Sequence, residues 1–228
     1  MRDFLIHPEN MPARAVSAFF TTRLAPDDMR VLASYADVPL QNIYLPVQKH
    51  TDTVQVVAED MTVRIADAVA TKRRDLLIGV KTADCVPILL YDPRRCAVGA
   101  VHAGWRSTAE AILRKTLAVF VDRFYSNVED ILVSIGPAIC GSCYEVGPEV
   151  VEAVLRGTGP GPYISERGSR HHIDLRAANR LQALSSGVPA ENIWQSPDCT
   201  FCQPELYYSY RYAKGTTGRL YSMIALKE

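Results

Sequence analysis

The chain has 228 residues, of which 48% are hydrophobic and 22% are charged, a composition typical of an ordinary globular protein. Lys plus Arg and Asp plus Glu are 25 each, so the chain lacks the basic excess expected of a sequence-tolerant nucleic-acid binder. The first ten residues contain no apolar run of signal-peptide length, and the apolar stretches elsewhere are too short to cross a bilayer. We therefore expect a cytoplasmic protein without nucleic-acid or membrane partners.

Most of the predicted strands lie in the first half of the chain. β-Branched and aromatic residues predict strands at 16–22, 43–48, 53–58, 76–80, 86–91 and 97–101. The last of these strands ends at His102. Ser107 and Glu110 have the spacing of a capping box, and apolar residues at helical spacing continue to Phe124, which predicts a long amphipathic helix.

Helices and strands mix without regular alternation in the second half. A strand is predicted at 131–135, a helix from Pro148 to Gly157, a helix from Asp174 to about Ser186, and a final strand at 220–226. The alternating Tyr208, Tyr210 and Tyr212 also have the pattern of a strand. This mixture predicts the α+β class.

Three segments each carry a metal-binding side chain where a predicted strand ends. These side chains are His50, Cys85 and His102. Two imidazoles and one thiolate are the ligand set of a catalytic zinc ion that keeps its fourth position open. Alternatively, Cys85 is a nucleophile with His102 as its base, and Asp84 orients the imidazole or carries a proton. Each residue is also common in a purely structural role, so spacing alone leaves these alternatives open.

The remaining cysteines include two CxxC pairs, Cys140 with Cys143 and Cys199 with Cys202. Paired CxxC motifs are typical of a structural zinc site. Here neither pair is followed by the glycine usual in a zinc knuckle, which argues against that assignment. A zinc-stapled interaction module or a redox module remains the non-enzymatic alternative for these residues.

Arg23, Arg106 and Arg211 are candidates for anion recognition, because guanidinium groups suit phosphate and carboxylate. The helix predicted to open at Ser107 would add free backbone N–H groups. Exposed arginines beside a capped helix are the alternative. The tyrosines of the C-terminal region are able to stack on a base or to form a half-buried strand; they are Tyr207, Tyr208, Tyr210 and Tyr212.

Taken together, the short motifs of this chain resemble those of the laccase-domain family in content and order. They are Phe20-Thr21-Thr22-Arg23, Gln48-Lys49-His50, Asp67-Ala68-Val69-Ala70-Thr71, Thr82-Ala83-Asp84-Cys85-Val86-Pro87, Ala100-Val101-His102-Ala103-Gly104-Trp105-Arg106, Ile135-Gly136-Pro137-Ala138-Ile139, Cys143-Tyr144-Glu145-Val146-Gly147, Cys199-Thr200 and Thr217-Gly218-Arg219. The family was first described as multicopper polyphenol oxidases. Its members are now assigned as zinc-dependent purine nucleoside phosphorylases, and bacterial members also as peptidoglycan editing factors.

The resemblance implies one α+β domain over residues 1–228, with mixed sheets flanked by helices in a cysteine-hydrolase-like fold, and we expect a monomer. It implies phosphorolysis of adenosine, inosine, guanosine and methylthioadenosine, together with adenosine deamination. It implies a metal, zinc or alternatively copper, on His50, Cys85 and His102, with Cys85 and Asp84 as catalytic residues. The substrate-binding residues carried over are Arg23, Gln48, Arg106, Cys143 and Arg211.

Two other activities remain as alternatives. One is a cysteine or metal hydrolase that edits peptidoglycan precursors. The other is a copper-dependent polyphenol oxidase, which we rank last because one His/His/Cys site lacks the clustered histidines of a multicopper centre.

The chain also departs from the family pattern. The glycine-rich and Asn-Leu-Gly segments usual after the Thr-Thr-Arg motif are missing after Arg23, which predicts a rebuilt pocket wall. Ser107 replaces a usual glycine, and Tyr212 replaces the second arginine of a usual pair.

Overall fold

Two large β-sheets packed face to face form the centre of the fold. The computed structural model describes residues 4–215 and 218–227, so Thr217 of the Thr217-Gly218-Arg219 motif lies outside the described residues. The strands are β1 Leu5–Ile6, β2 Val16–Thr21, β3 Ile43–Tyr44, β4 Val54–Val56, β5 Ala68–Thr71, β6 Leu77–Thr82, β7 Val86–Asp92, β8 Ala97–Ala103, β9 Leu132–Ile135, β10 Glu145–Val146, β11 Ile164–Arg167, β12 Arg170–Ile173, β13 Ile193–Gln195 and β14 Leu220–Leu226. The helices are α1 Met29–Ala36, α2 Trp105–Ala109, α3 Ile112–Phe124, α4 Pro148–Thr158 and α5 Leu175–Ser185.

The described strands form three sheets. A six-stranded sheet has the order β13-β9-β7-β8-β5-β4, and a five-stranded sheet has the order β1-β2-β14-β6-β3. Both are mixed, because β13 and β4 pair parallel in the first sheet and β3 pairs parallel in the second. The third sheet, β10-β12-β11, is antiparallel. The predicted α+β class, with mixed sheets and flanking helices, is confirmed.

Strand β7 shows why the predicted strands read as continuous apolar runs rather than as alternating ones. Ile88 and Leu90 pack into one hydrophobic cluster with the helices, whereas Leu89 and Tyr91 pack into another between the two large sheets. Since successive side chains of a strand point to opposite faces, a strand buried on both faces must be apolar at every position.

The outer faces of the two large sheets are covered by helices. Leu113, Leu117 and Phe120 of α3 pack on the six-stranded sheet. On the far side, Leu32 of α1 packs with Leu77 and Met223 of the five-stranded sheet. The result is a helix–sheet–sheet–helix layering, and α1 is an element that the sequence analysis did not predict.

Several predicted boundaries are confirmed. Helix α5 begins after Asp174, whose carboxylate accepts from the backbone N–H groups of Arg176 and Ala177. Helix α4 begins at Pro148 as predicted but continues through Gly157 to Thr158. Gly157 serves packing instead, because a Cβ there would lie 1.9 Å from the backbone oxygen of Ala109.

Two local predictions are wrong. Ser107 does not cap a helix: helix α2 begins at Trp105 after Gly104, and Ala111, with a φ of 56°, separates it from α3. The segment predicted as one long helix from Ser107 to Phe124 therefore belongs to two helices, α2 and α3. The tyrosine segment is also not a strand, since residues 207–215 form turns in which Tyr210 and Tyr212 are more than half exposed.

In the described part of the chain, no helix has both the length and the apolarity needed to cross a membrane.

Candidate metal centre

Three chain segments meet beside the ends of strands that belong to the two large sheets. The loop after β3 carries His50, the tight turn between β6 and β7 carries Cys85, and the end of β8 carries His102. One ligand atom from each of these side chains lies within 4.8 Å of the other two. The structure thus brings together the three residues that the sequence analysis proposed as metal ligands.

Asp67, directly before β5, ties two of these segments together. Its carboxylate accepts from the backbone N–H groups of Lys49, His50 and Thr51 at 3.1, 3.0 and 2.6 Å. It also lies 2.7 Å from Nδ1 of His102, and the residue is fully buried. These contacts hold the His50 loop, whose backbone is left-handed at His50 with a φ of 59°, against the end of β8.

The hydrogen bond from His102 to Asp67 also fixes the state of the imidazole. Because Nδ1 donates to the carboxylate, Nε2 is left as the ring nitrogen available to a metal ion. Burial raises the pKa of the Asp67 carboxyl, but the contacts with His102 and Thr51 outweigh that effect and lower it to about 2. The group is thus a permanent acceptor for His102.

The thiol and the imidazole influence each other strongly. Burial raises the pKa of Cys85, but His102 and then His50 outweigh it and lower the pKa to about 6. Burial lowers the pKa of His102, but the Cys85 thiolate and then Asp67 raise it to about 9. The thiol and the imidazole thus favour each other's charged forms, and a divalent cation bound here would replace the imidazolium proton.

The chemistry of the donor set supports the fit of a metal ion, and the backbone at Gly104 approaches two of the donors closely. A Cβ added at Gly104 would lie 3.0 Å from Cδ2 of His50 and 3.2 Å from Sγ of Cys85. The glycine therefore keeps a side chain from crowding the two donors. Three soft or borderline ligands within 4.8 Å of one another fit zinc with one position left open.

The centre lies on the wall of a cavity of about 720 Å³. Four cationic side chains line this cavity, and none of the described residues that line it is acidic; the cations are Lys49, Lys81, Arg106 and Arg219. In a chain of zero formal net charge, this is a local concentration of positive charge. Such a cavity attracts a small anion.

Two of the five predicted substrate-binding residues, Gln48 and Arg106, line the cavity. Arg106 is exposed and lies over the ring of its neighbour Trp105, 4.2 Å from the ring centre. The amide of Gln48 is engaged: its Nε2 donates to the carbonyl of Lys81 and its Oε1 accepts from the Lys81 N–H, both at 2.8 Å. Gln48 thus fastens the metal-bearing loop to β6.

The other three predicted substrate-binding residues do not line the cavity. Arg23 donates to the carbonyl of Pro204 and lies over the ring of Tyr208. Arg211 donates to the carbonyl of Glu145 and lies over Tyr144. Cys143 belongs to the second cysteine cluster. Arg23 and Arg106 therefore do not line the same cavity, and the phosphate subsite expected from Arg23, Arg106 and a helix opening at Ser107 stays a prediction.

Asp84, predicted as catalytic, does not line the cavity and is buried. Its two carboxylate oxygens accept from the hydroxyl of Thr200 at 2.6 Å and from the backbone N–H of Arg211 at 2.7 Å. Its backbone has a φ of 84°, a conformation that costs energy for a residue with a side chain. Asp67, not Asp84, orients the His102 imidazole.

The sequence analysis missed three residues of this region: Asp67, Lys81 and Arg219. Asp67 and Arg219 are inside family motifs but have no predicted role. Lys81 follows an apolar run as the exposed residue of β6, and such a lysine is ordinarily read as a solvent-facing residue. Tyr210, which the sequence predicts either to stack on a base or to lie in a strand, lies in a turn and lines the cavity.

The fold and this centre define a metal-site α+β protein with an open anion-attracting cavity. The profile of the family described as "Multi-copper polyphenol oxidoreductase laccase" matches residues 26–227. The chain therefore belongs to this laccase-domain family, and the resemblance drawn from its motifs is confirmed.

Similar proteins carry the names of purine-active enzymes. The chain is 32% identical over 209 residues to purine nucleoside phosphorylase YlmD of Bacillus subtilis, covering 86% of this chain and 75% of that protein. It is 36% identical over 214 residues to adenosine deaminase RL5 of an unknown prokaryotic organism, covering 88% and 81%. The crystal structure of YlmD from Geobacillus stearothermophilus superposes with a TM-score of 0.90 at 31% identity, covering 99% of this chain and all of that chain.

Proposed function

We propose that this protein is a zinc-dependent purine nucleoside phosphorylase that also deaminates adenosine. The observation that carries the proposal is the open three-ligand centre of His50, Cys85 and His102 on the wall of a cationic cavity. The names of the similar proteins supply the substrate class.

A zinc ion at this centre would supply a Lewis acid that binds an oxygen nucleophile, phosphate or water, and lowers its pKa. The cavity residues supply the rest. Lys81 and Arg106 neutralise and position the phosphate dianion against the sugar carbon, with Lys49 and Arg219 adding to the positive field.

Tyr210 is the candidate for purine binding. Its ring lines the cavity and is 55% exposed, and an aromatic face accepts any purine by stacking. Stacking tolerates adenine, hypoxanthine and guanine alike, which matches the proposed range of adenosine, inosine, guanosine and methylthioadenosine.

Asp67 and Asp84 act through other residues in this proposal. Asp67 holds His102 in the tautomer that presents Nε2 to the metal. Asp84 holds the turn that presents Cys85, anchored from both carboxylate oxygens. We therefore propose Asp84 as a positioning residue and Cys85 as a metal ligand.

One observation favours a second candidate function, hydrolysis by Cys85. Nδ1 of His102 lies 2.7 Å from Asp67, and a ring nitrogen of His102 lies within 4.8 Å of Sγ of Cys85. A thiol, an imidazole and an orienting carboxylate are the groups of a nucleophile, a base and its support. A peptidoglycan precursor is the substrate class for this alternative. Copper-dependent phenol oxidation is not favoured, because the two imidazoles and one thiolate serve one metal position.

Incubation of the zinc-loaded protein with adenosine, with and without phosphate, separates these functions. The proposal predicts adenine and ribose 1-phosphate only when phosphate is present, with ribose 1-phosphate equal to the sum of adenine and hypoxanthine because inosine is cleaved as well. It also predicts inosine in both incubations. Failure to turn over any purine nucleoside, combined with hydrolysis of an amide or ester substrate, would favour the cysteine hydrolase.

A further inference from the structure

The two CxxC pairs, which the residues around them had argued against as a zinc site, converge in the fold. All four Sγ atoms lie within 4.8 Å of one another. We call this group the four-cysteine cluster; it consists of Cys140, Cys143, Cys199 and Cys202. The mechanism proposed above uses none of these residues.

The backbone holds the two pairs side by side. Cys140 and Cys143 form a turn in which the N–H of Cys143 donates to the carbonyl of Cys140 at 3.0 Å. Cys199 and Cys202 form a second turn, and a parallel bridge joins Ala138 to Cys199. The two turns come from distant segments, since Cys143 and Cys202 are 59 positions apart in the chain. The bridge thus fixes both turns in one place.

The spacing of the sulfur atoms is close to that of a tetrahedral thiolate site. Zinc–sulfur bonds of about 2.3 Å place the sulfur atoms of a tetrahedron about 3.8 Å apart. Here Sγ of Cys143 and Sγ of Cys202 are 3.3 Å apart, and every pair in the cluster is within 4.8 Å. These spacings bracket the value expected around a single ion.

Donors already point at the sulfur atoms. The backbone N–H of Cys140 donates to Sγ of Cys199 at 3.3 Å, and the Ser142 hydroxyl lies 3.0 Å from Sγ of Cys140. Hydrogen bonds to thiolate ligands stabilise the charge of a thiolate-rich metal site.

We propose that the four-cysteine cluster binds a second zinc ion in a closed structural site. Four thiolates leave no open position for water or substrate, and soft tetrahedral sulfur sites select zinc among the common divalent ions. The proposal does not depend on the reaction at the first centre.

The cluster also bears on the first centre through Asp84. The carbonyl of Asp84 accepts from the N–H of Ile139 at 3.1 Å, next to the first CxxC pair. Its carboxylate accepts from Thr200, which lies inside the second pair. A zinc ion joining the two pairs would therefore hold both sides of the left-handed turn that presents Cys85.

The metal content of four reduced proteins tests the proposal. Wild type and the control Cys96→Ser should each bind about two zinc ions per chain, because Cys96 belongs to neither cluster. Cys85→Ala and Cys202→Ser should each retain about one. Cys202 is exposed, so its replacement by serine is compatible with folding. A wild-type content of about one ion, together with no bound zinc in Cys85→Ala, would overturn the proposal.

Cobalt substitution identifies which of the two metal sites is filled in each variant. It also reveals a variant that has lost both sites because it is misfolded. Cobalt bound to Cys85→Ala should give the intense near-ultraviolet absorption of four sulfur ligands, whereas cobalt bound to Cys202→Ser should give the weaker absorption of one. The same weak spectrum in both variants would contradict the proposal.

Discussion

Oδ1 of Asp67 lies 2.7 Å from Nδ1 of His102 inside the protein, and the same carboxylate accepts three backbone N–H groups from the loop that carries His50. One buried acid thus aligns two of the three proposed metal ligands. This relationship explains how residues more than fifty positions apart in the chain keep a common geometry when no metal is bound.

Replacing Asp67 by Asn should weaken zinc binding at the first centre. The amide keeps the size of the side chain but loses the charge that fixes the His102 tautomer, so we expect a loss of about 10–100-fold in affinity. Competition with a chromophoric chelator measures this. Asp75→Asn is the matched control, since Asp75 pairs with Arg73 at the surface. Equal affinities in the two variants would contradict the role given to Asp67.

Replacing Gly104 by Ala should also weaken metal binding, for a steric reason. The new Cβ would lie 3.0 Å from Cδ2 of His50 and 3.2 Å from Sγ of Cys85. Gly104 itself is extended, with a φ of −72°, so alanine does not strain the backbone there. We expect at least a roughly tenfold loss of zinc affinity at the first centre. The melting temperature of the metal-free variant should remain close to that of metal-free wild type, and a large drop would point to misfolding instead.

Replacing Thr200 by Val should disturb Cys85 through Asp84. The change removes a 2.6 Å hydrogen bond to a buried carboxylate, which costs about 1–3 kcal/mol. We expect kcat to fall more than KM rises, and Thr200→Ser to restore activity. Thr116→Val is the control, because Thr116 is a buried threonine whose hydroxyl donates to a helix carbonyl far from the site. Matching kinetic losses in both variants would mean that Thr200 acts on stability alone.

The residues that line the cavity indicate which cationic side chains bind phosphate. Lys81→Ala and Arg106→Ala should each raise the KM for phosphate by roughly tenfold to a hundredfold, the effect of losing a charge-assisted contact of about 1.5–3 kcal/mol. Adenosine deamination should change little, since water is the nucleophile in that reaction. Arg23→Ala is the control because Arg23 lies outside the cavity. If the KM for phosphate changes only in Arg23→Ala, phosphate binds outside this cavity.

The strongly apolar strands and the capped helix α5 could be predicted because local patterns decide them. The run at β7 and the Asp174 cap depend on neighbours in sequence. The convergence of His50, Cys85 and His102 could be proposed from motifs, whereas its physical cause could not. Asp67 acts through contacts with a loop and a strand end 16–35 positions away, and nothing in its immediate neighbourhood indicates this.

The sequence predictions that failed did so for the same reason, because the local pattern does not show which contacts the fold makes. Ser107 and Glu110 match a capping box, but packing starts the helix at Trp105 and breaks it at Ala111. The tyrosines alternate like a strand, but Ser209 and Tyr210 take part in turns closed by backbone hydrogen bonds to Ala213 and Gly215. The flanks of the CxxC pairs argued against a shared site, whereas the bridge between Ala138 and Cys199 brings the pairs together.

The central claim is that phosphorolysis requires zinc on His50, Cys85 and His102. The most direct test is whether activity returns when zinc is added to metal-free protein. Metal-free wild type is titrated with zinc in the presence of adenosine and phosphate, and adenine release is followed alongside metal occupancy. Adenine release should be absent at the start and rise with occupancy of the His50, Cys85 and His102 centre, and Cys85→Ala should stay inactive at every zinc concentration. Full phosphate-dependent adenine release from the metal-free protein, or from Cys85→Ala, would contradict the account.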